Sequence, residues 1–124
     1  MANFNRPPTS RTPAIALTAK SARLLIEGES YPEDVNGFYA PVFEAIEGYF
    51  ASGTTQLDVD IKLIYFNSSS ARALTNLLDI MDSHAANGAK VTVRWFCDDD
   101  DDITREFAED LAADLESLAI SIIA

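Results

Sequence analysis

The chain has 124 residues, enough for one domain with one continuous core and too few for a second. Hydrophobic side chains make up 48%, which excludes a disordered chain, and 9 basic against 20 acidic residues give a net charge of −11, which argues against nucleic acid and anionic membrane surfaces as partners. No apolar run approaches the roughly 20 residues that span a bilayer, Met1 to Pro13 has no signal-peptide core, and the lone Cys97 can build neither an internal disulfide nor a zinc site, so a cytoplasmic location is expected.

Residues 1–13 carry Pro7, Pro8 and Pro13 without periodicity and are expected to form a flexible tail ahead of a single domain over 14–124. Ala14 to Thr18 and Ala22 to Gly28 read as the two strands of an antiparallel hairpin, turning near Lys20 and Ser21, and the loop Glu29-Ser30-Tyr31-Pro32-Glu33 follows. Val35, Phe38, Tyr39, Val42, Phe43, Ile46, Tyr49 and Phe50 recur at helical spacing, and Pro41 within that stripe predicts either a helix start near Ala40 or a bend. Leu57, Val59, Ile61, Leu63 and Tyr65 alternate with Asp58, Asp60 and Lys62, the period of a strand with one buried face.

A second helix buries Leu74, Leu77, Leu78 and Met81 and stops at the run Ala86 to Gly88. Val91, Val93, Trp95 and Cys97 alternate with Lys90, Thr92 and Arg94 in another strand, and aspartates 98 through 102 form the loop after it. Ile103, Phe107, Leu111 and Leu115 give a third helix, with Asp102 or Thr104 as its cap, and Leu118 to Ile123 closes as a strand.

This order predicts an α/β fold with a mixed, mostly parallel sheet of about five strands and right-handed crossovers. Arg23, Glu27, Asp58, Asp60, Lys62, Lys90 and Arg94 all fall on one side of it, so the three helices are expected mainly on the other face. Asp58 and Asp60 should lie beside Lys90 and Arg94.

The segment Tyr65-Phe66-Asn67-Ser68-Ser69-Ser70 joins the clearest strand to a helix, at the end of a parallel sheet where ligands and modifications gather. One of the three serines serves as an N-cap in the simplest reading, which from the residues alone is the stronger one. A phosphate at this helix start would also be stable, because it would meet unpaired N–H groups and the favourable end of the helix dipole. Asp98 to Asp102 lacks the spacing of a calcium loop and reads as a solvated or capping segment, so no metal is assigned. His84 reads as an ordinary surface residue and Cys97 as an inert buried thiol. No phosphate loop, nucleophile elbow or zinc-type His pair is present, so neither enzyme activity nor a cofactor is expected.

Gly28-Glu29-Ser30-Tyr31-Pro32-Glu33, Phe38-Tyr39, Tyr65-Phe66-Asn67-Ser68-Ser69-Ser70 and Val91-Thr92-Val93-Arg94-Trp95 before an acidic stretch occur in that order, and together they resemble the SiaC family of bacterial regulatory phosphoproteins. The resemblance runs from about Pro13 to the C-terminus. It implies a STAS-like fold and a partner-switching role governed by a Ser/Thr protein kinase and a metal-dependent Ser/Thr phosphatase. Ser68 would be the phosphorylated residue, where the family usually has Thr, with Asn67, Ser69 and Ser70 shaping its turn and Ser69 a competing acceptor. Glu29, Ser30, Tyr31, Pro32 and Glu33 would form part of the partner-docking surface. The unphosphorylated form would bind and activate a diguanylate cyclase, raising cyclic di-GMP and favouring biofilm. The alternative is a STAS-like antagonist of an anti-sigma factor.

Overall fold

Alternation of apolar and charged residues decides which side of this sheet is covered. The computed structural model describes residues 3–124. Its elements are β1 (Phe4–Arg6), β2 (Ala14–Thr18), β3 (Arg23–Ser30), α1 (Val35–Ala51), β4 (Gln56–Phe66), α2 (Ser68–Ala86), β5 (Lys90–Phe96), α3 (Asp102–Asp114) and β6 (Ala119–Ile123). The six strands lie side by side in chain order, antiparallel from β1 to β3 and parallel from β3 to β6. Each helical crossover therefore advances in the same direction, and right-handed crossovers of that kind put α1, α2 and α3 on one face. Burial agrees: Ile15, Leu24, Ile26, Val59, Ile61, Val93 and Trp95 on that face are fully enclosed. No helix among the described residues is long and apolar enough to cross a membrane.

The other face stays open, and its charges pair across strands. Arg94 of β5 holds Asp60 of β4 with two hydrogen bonds of 2.8 Å, and Arg23 of β3 lies 3.9 Å from the same carboxylate. Asp58 stands opposite Arg23 and Thr92, and Lys90 opposite Gln56, so only one of the two expected pairings across β4 and β5 forms. Such exposed pairs are screened by solvent, add little stability and mainly fix register.

Several expectations are corrected. Phe4–Arg6, assigned to a flexible tail, forms a sixth strand against Ile15–Leu17; Arg6 stacks over the rings of Phe4 and Phe38, and Asn3 accepts a hydrogen bond from the Ala19 N–H. Met1 and Ala2 of that segment lie outside the described residues. The hairpin turn spans residues 19–22 and needs Ala22 in the left-handed region at φ 56°. Helix α1 starts at Val35 and runs through Pro41, which overturns the start near Ala40; Asp34 caps it by accepting from the Gly37 N–H. An added Cβ at Gly37 would run into that Asp34 carboxylate, so a side chain there would have to displace the cap. Helix α3 is capped by Asp101 and not by Asp102 or Thr104.

Tyr65 also differs from expectation. The β3–β4 ladder slips by one residue after Gly28 and Leu63, so Glu29 faces Tyr65 and Ser30 faces Phe66. Ile64 is the extra residue, and beyond it the strand reverses parity. Tyr65 turns outward at 51% exposure, while Phe66 turns in against Trp95 and Phe107. Beyond α3, Asp82 of α2 gathers the backbone N–H groups of Ser117 and Leu118 at 2.8 and 2.9 Å and anchors the entry to β6. Desolvation pushes the Asp82 carboxyl up, but these donors and Glu116 together outweigh it and hold its pKa below the ordinary value.

Candidate functional site at the mouth of α2

The slip in β4 aims the chain after Phe66 into α2. Asn67, and not a serine, is the N-cap: its side-chain oxygen accepts from the Ser70 N–H at 2.9 Å, and its carbonyl accepts from Ala71 at 2.9 Å. Ser68 and Ser69 are the first two helical residues, and both are exposed. Their N–H groups precede any intrahelical acceptor.

Ser70 is of another kind. It is 0% exposed and accepts a hydrogen bond from Ser30 Oγ at 2.8 Å. Ser30, also 0% exposed, shares a second hydrogen bond with the Tyr39 hydroxyl at 2.7 Å. Its single proton is committed to Ser70, which leaves the Tyr39 O–H as donor. Burial raises the Tyr39 pKa by more than the Ser30 bond lowers it, so this donor keeps its proton at neutral pH. The Asn67 N–H donates to the Ser30 carbonyl at 3.1 Å. β3, α1 and the start of α2 are thus joined beneath an exposed pair of serines.

Two segments far apart in sequence, residues 28–33 and 65–70, therefore meet. The loop half of that meeting is corrected at one position: Ser30 is sealed inside and offers no side chain to a partner. Glu33 is exposed and paired with Arg11 at 2.6 Å, Tyr31 packs edge-on to Tyr65 with ring centres 5.7 Å apart, and Glu29 and Pro32 are half-buried. Ser30 has the same sequence parity as Leu24 and Ile26, which was the available sign that it points inward.

Beside Ser68, the first turns of α1 and α2 enclose a cleft of about 380 Å³ lined by Val35, Asn36, Tyr39, Phe43, Ser68, Ser69, Arg72, Ala73 and Asn76. It contains no carboxylate, in a chain with 20 of them. Arg72 and Asn36 were not singled out from sequence; the spacing of Arg72 four residues after Ser68 was the usable signal.

The other residues considered lie elsewhere. His84, expected as an ordinary surface residue, is half-buried: it stacks on Phe50 with ring centres 4.3 Å apart and hydrogen-bonds Glu47, clasping α2 to α1. Cys97 is buried and unpaired. Asp98 to Asp101 lead into α3, which Asp102 opens, with Asp99 and Asp102 near Arg105. Among the described residues no three His, Cys, Asp or Glu side chains converge as a metal site.

Residues 6–124 match the SiaC family of regulatory phosphoproteins. A relative in Pseudomonas aeruginosa, an uncharacterized protein, is 32% identical over 114 residues, covering 92% of this chain and 90% of the relative. The crystal structure of apo-SiaC from P. aeruginosa superposes with a TM-score of 0.93 at 32% identity, with both chains fully covered. A second similar structure is SiaC as the activator of the diguanylate cyclase SiaD, crystallised with that enzyme from the same organism, with a TM-score of 0.88, 32% identity and coverage of 96% of this chain and 98% of that one. With a family match over nearly its whole length and the same fold, the chain belongs to the SiaC family of regulatory phosphoproteins.

Proposed function

We propose that this protein is a phosphorylation-controlled activator: unmodified, it binds and switches on a diguanylate cyclase, and a phosphate placed on Ser68 by a Ser/Thr protein kinase blocks that binding until a metal-dependent phosphatase removes it. The observation that carries this reading is the exposed Ser68 hydroxyl at the first position of α2, over a buried network that leaves Ser70 unavailable. Ser69 is exposed beside it and is the competing acceptor. A phosphate there adds roughly −1.5 to −2 charge at neutral pH, enough to repel an anionic partner surface or fill a docking cleft. The likeness to SiaC bound to its cyclase supports the choice of partner class. Asn67 and Ser70 hold the turn, and Glu29, Tyr31, Pro32 and Glu33 supply neighbouring docking surface.

The test uses purified kinase, cyclase and this protein. Mass spectrometry should find the phosphate on Ser68, and Ser68→Ala should activate the cyclase as the wild type does. Ser68→Asp should weaken activation about tenfold, a loss of about 1.4 kcal/mol. Modification confined to other residues, or equal activation by the Ala and Asp variants, would refute the proposal.

A further inference from the structure

Five of the six arginines are engaged: Arg6 by the Phe38 carbonyl, Arg11 by Glu33, Arg23 and Arg94 by Asp60, and Arg105 by Asp99 and Asp102. Arg72 alone has no carboxylate or carbonyl partner among the described residues. It is exposed, and it lines the cleft that holds Ser68 and Ser69. Ser68 and Arg72 stand four residues apart on α2, one turn apart on one face of the helix. The remaining lining is uncharged, with Asn36 and Asn76 offering amide donors. A guanidinium without a counter-ion, in a cleft free of carboxylates, on a protein of net charge −11, is suited to a phosphate monoester.

We infer that Arg72 is the phosphate-receiving group of the switch, drawing the phosphoryl group on Ser68 into the cleft between α1 and α2. The inference rests on Ser68 as the modified residue. In that modification Ser68 Oγ bonds to the γ-phosphorus of a nucleoside triphosphate. The bond from that phosphorus to the bridging oxygen breaks, its electron pair leaves on the diphosphate, and the hydroxyl proton passes to the base of the kinase. Arg72 then meets a dianion, and the charge of the cleft turns from +1 to about −0.5 to −1. The modified state is more than an added charge: it is a filled cleft with its one cation neutralised.

To separate this inference from the choice of kinase and acceptor, phosphoserine is installed at position 68 during translation, and the phosphorus-31 shift of the full chain is followed against pH. A free phosphoserine titrates near pH 6, and contact with Arg72 favours the dianion. The wild type is expected to titrate lower than Arg72→Gln by about half a unit, with Arg72→Lys, which keeps the charge, in between. Arg72→Gln should also speed removal of the phosphate by a non-specific phosphatase several-fold. Thermal unfolding of the unmodified variants checks that the exposed substitution leaves the fold intact. Identical titration curves for wild type and Arg72→Gln would overturn the inference. A kinase that ignored Ser68 would instead overturn the proposed function and leave this titration standing.

Discussion

Helices α2 and α3 begin alike and are equipped in opposite ways. Each follows a parallel strand, each is capped by an Asx side chain that accepts the N–H three residues on, and each buries a hydroxyl residue there, Ser70 or Thr104. Each also has an arginine near the end of its first turn. At α3 the mouth already holds Asp98 to Asp102, and Arg105 is spent on Asp99, Asp102 and the carbonyls of Asp98 and Asp99. At α2 the exposed positions are Ser68 and Ser69, and Arg72 is left open. One mouth carries its negative charge permanently. The other is neutral and has room to acquire it, which is what a reversible phosphate requires.

The largest expected effect tests whether the α2 mouth has two layers. Ser30→Ala removes the centre of the buried network and leaves both the Ser70 and Tyr39 hydroxyls short of a partner, at a cost of about 2 kcal/mol in urea unfolding. Ser68→Ala, on the exposed layer, should stay within about 0.5 kcal/mol of the wild type. Equal costs would erase the distinction between scaffold and modifiable surface.

The caps come next. Asn67→Ala and Asp101→Ala should each cost about 1 kcal/mol, since each loses one side-chain acceptor at a helix start. Added salt should shrink the Asp101 cost and leave that of Asn67 unchanged, because only one of the two caps is charged. Asp82, which joins α2 to the segment after α3, is worth about 1 kcal/mol. Its pKa is lowered on folding, so its contribution is complete above the ordinary carboxylate range and lost as pH falls through the folded-state value. In Asp82→Asn, hydrogen exchange should quicken in β6 while the Ser70 amide stays protected; loosening at both mouths together would mean that the two helix starts are not independent.

Much of this contrast is legible in the sequence. The alternation in β4 and β5 carries the one-sided sheet, and Asn67-Ser68-Ser69-Ser70 after an aromatic strand end points to the candidate site. What is not legible depends on partners distant in the chain. Phe4–Arg6 is too short to show a period and exists because β2 offers an edge and Phe38 a ring for Arg6. Tyr65-Phe66 gives two aromatics in a row, and only the slip against β3 decides which one is buried. Ser30 keeps the inward parity of β3, but the partners that bury it, Ser70 and Tyr39, come from elsewhere in the chain. Arg72 looks like any helix-surface cation; its significance comes from the absence of an acid around it.

The smallest effect is also the most direct comparison of the two mouths. Ser69 and Ile103 occupy the same second position of their helices, and both are exposed, Ile103 at 82%. A carboxylate at that position gains about 0.3–1 kcal/mol from the helix dipole when nothing negative stands nearby. Ser69→Asp should therefore stabilise the fold by a few tenths of a kcal/mol, with Arg72 adding to the attraction across the cleft. Ile103→Asp enters a mouth that already carries Asp98 to Asp102 immediately before it, where like-charge repulsion offsets the dipole, so its effect should be nil or unfavourable. Unfolding curves at low salt should separate the two variants, and at about 1 M salt, where screening acts within roughly 3 Å, the difference should close. A gain at both positions would show that α3 can still take up negative charge, and the neutral mouth of α2 would then no longer be special.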